Sequence, residues 1–289
     1  MNVSRQAAFD NTVGDMLWSF RRPCNTRLAC RRVSSCFCLS KLLLAIGMAM
    51  LIILVPVRGA QEKSAHHWNY SGPEGPEHWG DLEPAYATCK MGQHQSPINI
   101  REAKKSDLPA VQFDYHASPL HILNNGHTVQ VNYAPGSFIS VGENRYELKQ
   151  FHFHHPSEEE INGRLFAMVI HLVHADSSGN LAVVGVLLEP GAANPVIESL
   201  WAHLPREAGT EQKFDDVRID ASGLLPSSRG YYTFTGSLTT PPCSENVSWF
   251  VLKTPLAVSR EQASAFGRIY EHNVRPIQPV HDRVVLESQ

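Results

Sequence analysis

The chain lacks most of the features that would mark it for nucleic acid, for a membrane interior or for a repeat architecture. Only 18% of its 289 residues are charged and the formal net charge is −3, so the body has no electrostatic footprint for nucleic acid. There is no internal repeat and no low-complexity linker, and the length allows one large domain or two small ones. Helical periodicity is scarce, Pro195–His203 and Ser259–Tyr270 being the best of a few short patterns. The apolar segment Leu42–Val55 has 14 residues, short of the roughly 20 that a membrane-spanning helix needs. Cysteine is also sparse where it would count. Of six in the chain, only Cys89 and Cys243 lie beyond the apolar segment.

Charge is unevenly placed. Residues 1–58 carry eight Arg and Lys against Asp10 and Asp15, an excess of six positive charges, which leaves the remainder at −9. A basic leader before a short apolar core has the form of a secretory signal, and Val57 and Gly59 are small enough to precede a cleavage point. The leader is longer than a normal signal's. Either the start lies downstream, at Met16, or segment 42–57 stays uncut as an anchor. Arg21-Arg22 and Arg31-Arg32 resemble a twin-arginine signal only faintly, and no cysteine follows the apolar core to take a lipid. The sequence thus predicts export, periplasmic or secreted, with a membrane-anchored domain outside the cytoplasm as the alternative. It divides into 1–60, basic region plus signal or anchor, and 61–289, the folded domain. Two cysteines in an exported body point either to one disulfide or to two buried thiols.

What is abundant is alternation. His121–Leu123 before Asn124-Asn125-Gly126, Thr128–Tyr133 before Pro135-Gly136, and Phe166–Val173 before Ser177–Gly179 read as short strands closed by turns. Leu181–Leu188 is continuously apolar, as for a strand buried on both faces. Residues 60–80 are rich in Gly, Pro and aromatics without periodicity, a segment suited to covering a surface with Trp68, Tyr70 and Trp79. The expected fold is mainly β (α+β): a single domain with a large central, mostly antiparallel twisted sheet and short peripheral helices.

One stretch, Gln150-Phe151-His152-Phe153-His154, carries chemistry. On a strand, His152 and His154 share one face and the phenylalanines the other, with the imidazole attachment points roughly 6.6 Å apart. Asn162-Gly163 is a strong turn signal, and beyond it Val169, His171 and Val173 share a face of the next run. An antiparallel return would add His171 as a third nitrogen. Three neutral imidazoles with an open fourth position describe a catalytic zinc site. By the same alternation His155 and His174 face away, as packing or surface residues. A rival pattern, His152-x-His154-x-x-x-Glu158, matches the first half of a cupin ligand set, with Glu158 on iron or manganese.

Taken in order, Gln150–His154, Pro156-Ser157-Glu158, His171–His174 and Gly236-Ser237-Leu238-Thr239-Thr240-Pro241-Pro242 closely resemble the α-class carbonic anhydrases, in their exported bacterial form. So do His67-Trp68, Gly75–Trp79, Gln95–Ile98, Asn124–His127 and Arg275-Pro276, and together the matches span nearly all of residues 66–283. The resemblance implies reversible zinc-dependent hydration of carbon dioxide to bicarbonate and a proton. It implies that His152, His154 and His171 bind zinc and leave a water in the fourth place. Thr239 would accept a hydrogen bond from the resulting hydroxide and donate to Glu158. Val173, Val183, Leu238, Thr240 and Trp249 would line the carbon dioxide pocket, and His127 would carry the proton out. Gln150 would orient His152. The partner of the third ligand is often a glutamate two residues before it; here that position is Val169, which implies either a substitute acceptor or weaker zinc retention. The resemblance also implies a Cys89–Cys243 disulfide, bracing the loop of Thr239, and inhibition by sulfonamides and anions. An acidic exported body is compatible with a homodimer. The alternatives to the enzyme are the cupin-type metalloprotein and a non-catalytic binding domain of the same descent, although all three histidines, Thr239 and Glu158 are kept.

Overall fold

Alternating apolar residues along extended runs dictate a sheet with two different faces, and that division organises the protein. The computed structural model describes residues 67–289; the basic leader, the apolar segment 42–57 and the boundary near residue 60 lie outside the described residues. The principal strands are β1 (Lys104–Ser106), β2 (Ser118–Asn124), β3 (Val129–Asn132), β4 (Asn144–His154) and β5 (Met168–Ala175). They continue with β6 (Leu181–Pro190), β7 (Thr210–Ile219), β8 (Tyr231–Ser237), β9 (Glu245–Leu252) and β10 (Leu286–Ser288). They lie side by side in the order β7-β2-β3-β4-β5-β6-β9-β8-β10-β1, within a sheet of 13 strands. Pairing is mostly antiparallel; β6 with β9 and β10 with β1 are parallel.

Among the described residues four short α-helices accompany it: α1 (Trp79–Leu82), α2 (Thr88–Met91), α3 (Pro195–Trp201) and α4 (Arg260–Gly267). The starts of the last two are written in the sequence. Asn194 caps α3 by accepting from the Val196 and Ile197 amides, with Pro195 in the first turn, where its missing N–H costs nothing. Ser259 and Gln262 form a reciprocal capping box on α4. Both helices bury one side, Ile197 and Leu200 in α3, Ala263 and Phe266 in α4.

Period-two alternation separates two cores. Phe151, Phe153, Met168, Ile170, Leu172, Val184 and Val186 pack on the face that α3 and α4 cover. Val169, Val183, Leu187, Val247, Trp249 and Val251 form the second cluster on the opposite face. β6 is buried on both sides from Ala182 to Leu188, as its unbroken apolar run requires. Phe151 and Phe153 are fully buried, and each such side chain contributes about 1.5–3 kcal/mol. They hold β4 still, so whatever its opposite face carries is presented rigidly.

Candidate metal centre

His152 and His154 occupy the face of β4 opposite those phenylalanines. After β4 the chain turns back through Asn162 and Gly163, with φ of 52° and 80°. A positive φ at both central residues is the condition for this tight turn and the reason for Asn-Gly there. β5 then returns antiparallel with His171 directly across from His152. Ring centroids stand 5.0, 5.4 and 4.7 Å apart for His152–His154, His152–His171 and His154–His171. One nitrogen of each ring lies within 4.8 Å of the other two.

The remaining nitrogens are all engaged. His152 Nδ1 meets Gln150 Oε1 at 2.8 Å, and His154 Nδ1 meets the Asn273 carbonyl at 2.7 Å. His171 Nε2 meets both oxygens of Glu159, at 3.1 and 3.2 Å. Carbonyls and carboxylates only accept, so these nitrogens carry the protons. That leaves lone pairs on His152 Nε2, His154 Nε2 and His171 Nδ1. His154 Nε2 is buried with no hydrogen-bond partner, and a lone pair left unpaired in the interior is costly. Burial, with help from the His171 charge, lowers the His152 pKa to about 3 and takes His154 well below the usual histidine value. Burial also lowers His171, but Glu159 and Glu158 outweigh it and the net shift is upward. Three inward nitrogen donors without a thiolate suit a catalytic zinc ion, which keeps a position open, better than calcium or magnesium.

Two elements bring the rest of the site to this face. Glu158 follows β4 and is buried; its Oε1 accepts the Arg275 amide at 2.8 Å. Its Oε2 has no hydrogen-bond partner and lies 3.4 Å from His154 Nε2. Burial pushes this acid up to about 7, opposed by His171 and, more weakly, by the Arg275 amide and the adjoining Thr239 side chain. A divalent cation on the histidines would draw it down again. Thr239, also buried, comes from the loop between β8 and β9. Among the described residues the side chains grouped so as to hold a metal are His152, His154 and His171, the third nitrogen coming from β5.

Beside the histidines stands an apolar wall. Val183 and Trp249 are buried, with Val173 and Leu238 half-buried against them. The Trp249 ring meets His171 edge-on at 4.9 Å and is anchored by Nε1 on the Ser237 carbonyl at 3.0 Å. A methyl on Gly236 would lie 2.3 Å from Ser96 Oγ and 2.8 Å from Trp249 Cδ1, which is why glycine opens this motif. Thr240 is half-buried, and its carbonyl accepts the Cys243 amide at 2.8 Å.

His127 lies after β2, in the turn whose amides Asn125 Oδ1 caps. It stacks on Trp68 at 3.6 Å and 8°, with the His67 ring 5.9 Å away. Burial, with His67 as second cause, lowers its pKa to about 4.

Cys89 and Cys243 are joined in a disulfide across 154 residues. They pack with Trp79 and Tyr86 in a third apolar cluster, against which Trp68 and Tyr70 lie. Buried Arg275 links this cluster to the site. Its guanidinium donates to the Cys89 and Ser96 carbonyls and to Gln95 Oε1, while its amide holds Glu158.

Three participants carry no signal of their role in the sequence. Glu159 stands within a run of three acids, and nothing in the run marks it as buried. Asn273 contributes a backbone carbonyl, which no side-chain pattern reveals. The stack of Trp68 on His127 joins segments 59 residues apart. His174 is fully buried on the far face of β5, its Nε2 2.8 Å from Tyr115 Oη.

A family model described as eukaryotic-type carbonic anhydrase matches residues 74–289. The chain is 45% identical over 227 residues to a carbonic anhydrase of Nostoc sp., spanning 77% of this chain and 86% of the relative. It is 44% identical over 242 residues to a carbonic anhydrase of Neisseria gonorrhoeae, spanning 83% and 95%. Among solved structures it resembles the α-carbonic anhydrase of Thermovibrio ammonificans in complex with the inhibitor sulfanilamide. The TM-score is 0.75 at 45% identity, covering 77% of this chain and 100% of the other.

Proposed function

The chain belongs to the eukaryotic-type, or α-class, carbonic anhydrase family and is an enzyme of that kind, and on this premise we propose how its own residues hydrate carbon dioxide. The reaction is the reversible hydration of carbon dioxide to bicarbonate and a proton at a zinc ion held by His152, His154 and His171. The observation that carries this reading is the set of three converging nitrogens, each opposed across its ring by a fixed acceptor. Zinc, when bound, supplies a Lewis acid that brings water ionisation to about pH 7, a value for which carbonic anhydrase is itself the reference case.

The protein's part is orientation. An ionised carboxylate only accepts hydrogen bonds, so Thr239 donates to Glu158 and keeps a lone pair turned toward the histidines. That lone pair admits a group that donates a proton and turns away one that cannot. Glu158 is held in turn by the Arg275 amide. Val173, Val183, Leu238, Thr240 and Trp249 form the substrate side. A small uncharged molecule settles against apolar side chains that offer charged bicarbonate nothing, which favours its release.

His127 carries the proton outward. Stacked on Trp68, with a pKa of about 4, it is a poor acceptor near neutrality; leaving the stack for water returns it toward the ordinary value of about 6.5. The enzyme works outside the cytoplasm, a reading supported by its disulfide, since such bonds persist in oxidising compartments. N-terminal sequencing of the mature protein distinguishes release from anchoring through 42–57.

A stopped-flow hydration assay on purified, zinc-loaded protein tests the proposal. Rapid hydration, abolished by a primary sulfonamide, is expected. Full zinc occupancy without measurable hydration would refute it.

A further inference from the structure

Glu159 is entirely buried, and a carboxylate out of water is costly unless it is paired. Its side-chain partner is the Nε2–H of His171, which it meets with both oxygens at 3.1 and 3.2 Å. The backbone that presents it is pinned on both sides. Ser157 Oγ donates to the Glu159 carbonyl at 2.8 Å and itself accepts the Phe166 amide at 2.9 Å. The next residue, Glu160, enters a parallel ladder opposite Asn99. The carboxylate therefore does not drift with a loose loop.

The site has a second place from which an acceptor could come, and it is apolar. Val169 shares a face of β5 with His171 and is fully buried, within the cluster that includes Phe166, Val183 and Leu187. It offers the imidazole no acceptor, so the orientation of His171 depends on the loop and not on its own strand.

We propose that Glu159 is the positioning residue of the third metal ligand: it holds the proton on His171 Nε2, aims Nδ1 at the metal, and adds a negative charge that tightens the hold on the cation. The inference rests on the zinc reading above. It assigns metal retention to a side chain that touches neither substrate nor metal. It also makes positions 159 and 169 alternative sources of one carboxylate.

The test follows zinc release into excess chelator, for the wild type and for Glu159→Ala, Glu159→Gln and Glu159→Ala/Val169→Glu. Each variant is also loaded with cobalt(II), and its visible absorption spectrum, which reports ligand geometry, is recorded. Losing an outer partner of a ligand typically costs 10–100-fold in metal affinity. Glu159→Ala should release zinc about 10–100 times faster and displace the cobalt bands. The double variant should recover at least about tenfold of that loss, because its carboxylate returns on the strand that carries His171. Release from Glu159→Ala within twofold of the wild type, with an unchanged cobalt spectrum, would overturn the inference, as would a double variant no slower than Glu159→Ala. If Glu159→Ala does not fold, the equal-sized Glu159→Gln decides: release about tenfold faster supports the role of the charge, and release within twofold overturns it. A wild type that takes up no zinc would instead refute the function itself, so the two failures are separable.

Discussion

Replacing both Cys89 and Cys243 by alanine removes the bridge without adding a polar group to the apolar cluster that holds it. The bridge closes a loop of 154 residues. On a chain-entropy basis a loop of that size restrains the unfolded chain by about 5 kcal/mol at 25 °C. Such a loss is a large fraction of the stability of an ordinary domain, roughly 5–15 kcal/mol. The native side loses less. The Thr239 loop is also held by the Cys243 amide on the Thr240 carbonyl, the Leu238 amide on the Ser244 carbonyl and the Gln95 amide on the Cys243 carbonyl. Those bonds do not need the sulfurs. Urea unfolding at pH 7 should therefore show the double variant about 3–5 kcal/mol less stable than the oxidised wild type. Its specific activity at 15 °C, per folded zinc-loaded molecule, should stay within a few-fold. A stability difference below about 1 kcal/mol would refute the loop-closure reasoning. A folded, zinc-loaded but inactive variant would show that the bridge, and not the hydrogen bonds around it, positions Thr239.

Three further outcomes follow from the site. Glu158→Gln replaces an accept-only carboxylate by a neutral amide that can also donate to Thr239; one charge-assisted hydrogen bond is worth about 1.5–3 kcal/mol, so kcat/KM should fall roughly 10- to 150-fold with zinc content unchanged. Trp68→Ala exposes His127 to water, and its pKa, held at about 4 by burial and by His67, should rise toward about 6.5. At pH 6 the wild-type ring is then mostly neutral and the variant ring mostly protonated, a difference that an NMR titration reads directly; a His127 pKa still near the wild-type value would show that the stack is not the cause. Gly236→Ala forces a methyl against Ser96 Oγ and the Trp249 ring, and thermal unfolding should show a loss of about 1–3 kcal/mol.

Much of the fold could be read from period-two patterning because each strand carries its own record of which face is buried. β6, apolar without interruption, is buried on both sides. The Asn162-Gly163 turn brings β5 back beside β4, so His152 and His171 meet through local geometry alone. The parallel pairing of β6 with β9 is different: it joins segments more than 60 residues apart, and no pattern in either strand names the other. The same limit applies inside the site. Gln150 and His152 are two residues apart on one strand face, so their contact follows from alternation. His154 is fixed by the carbonyl of Asn273, 119 residues away, and a backbone group has no identity for a sequence to display.

The three acids after Ser157 show how far neighbouring residues of one type can diverge. Glu158 and Glu159 are buried, and Glu160 is only half so, taking up the Asn99 side-chain amide. What separates them is the direction in which the backbone leaves β4. It carries Glu158 under the Arg275 amide, Glu159 under His171 and Glu160 onto the small parallel ladder. Two adjacent buried carboxylates repel each other, and Glu159 is one of the causes that raise the Glu158 pKa. The arrangement is tolerable only because each has its own donor and because a cation at the histidines would oppose both charges. With Val169 in the strand, the wall beside the three histidines stays apolar up to His171, and the carboxylate that meets His171 Nε2 enters from behind it. The polar and apolar requirements of the site are thus met from different segments: β5, β6 and β9 supply apolar side chains, β5 also supplies His171, and the loop after β4 supplies the charge.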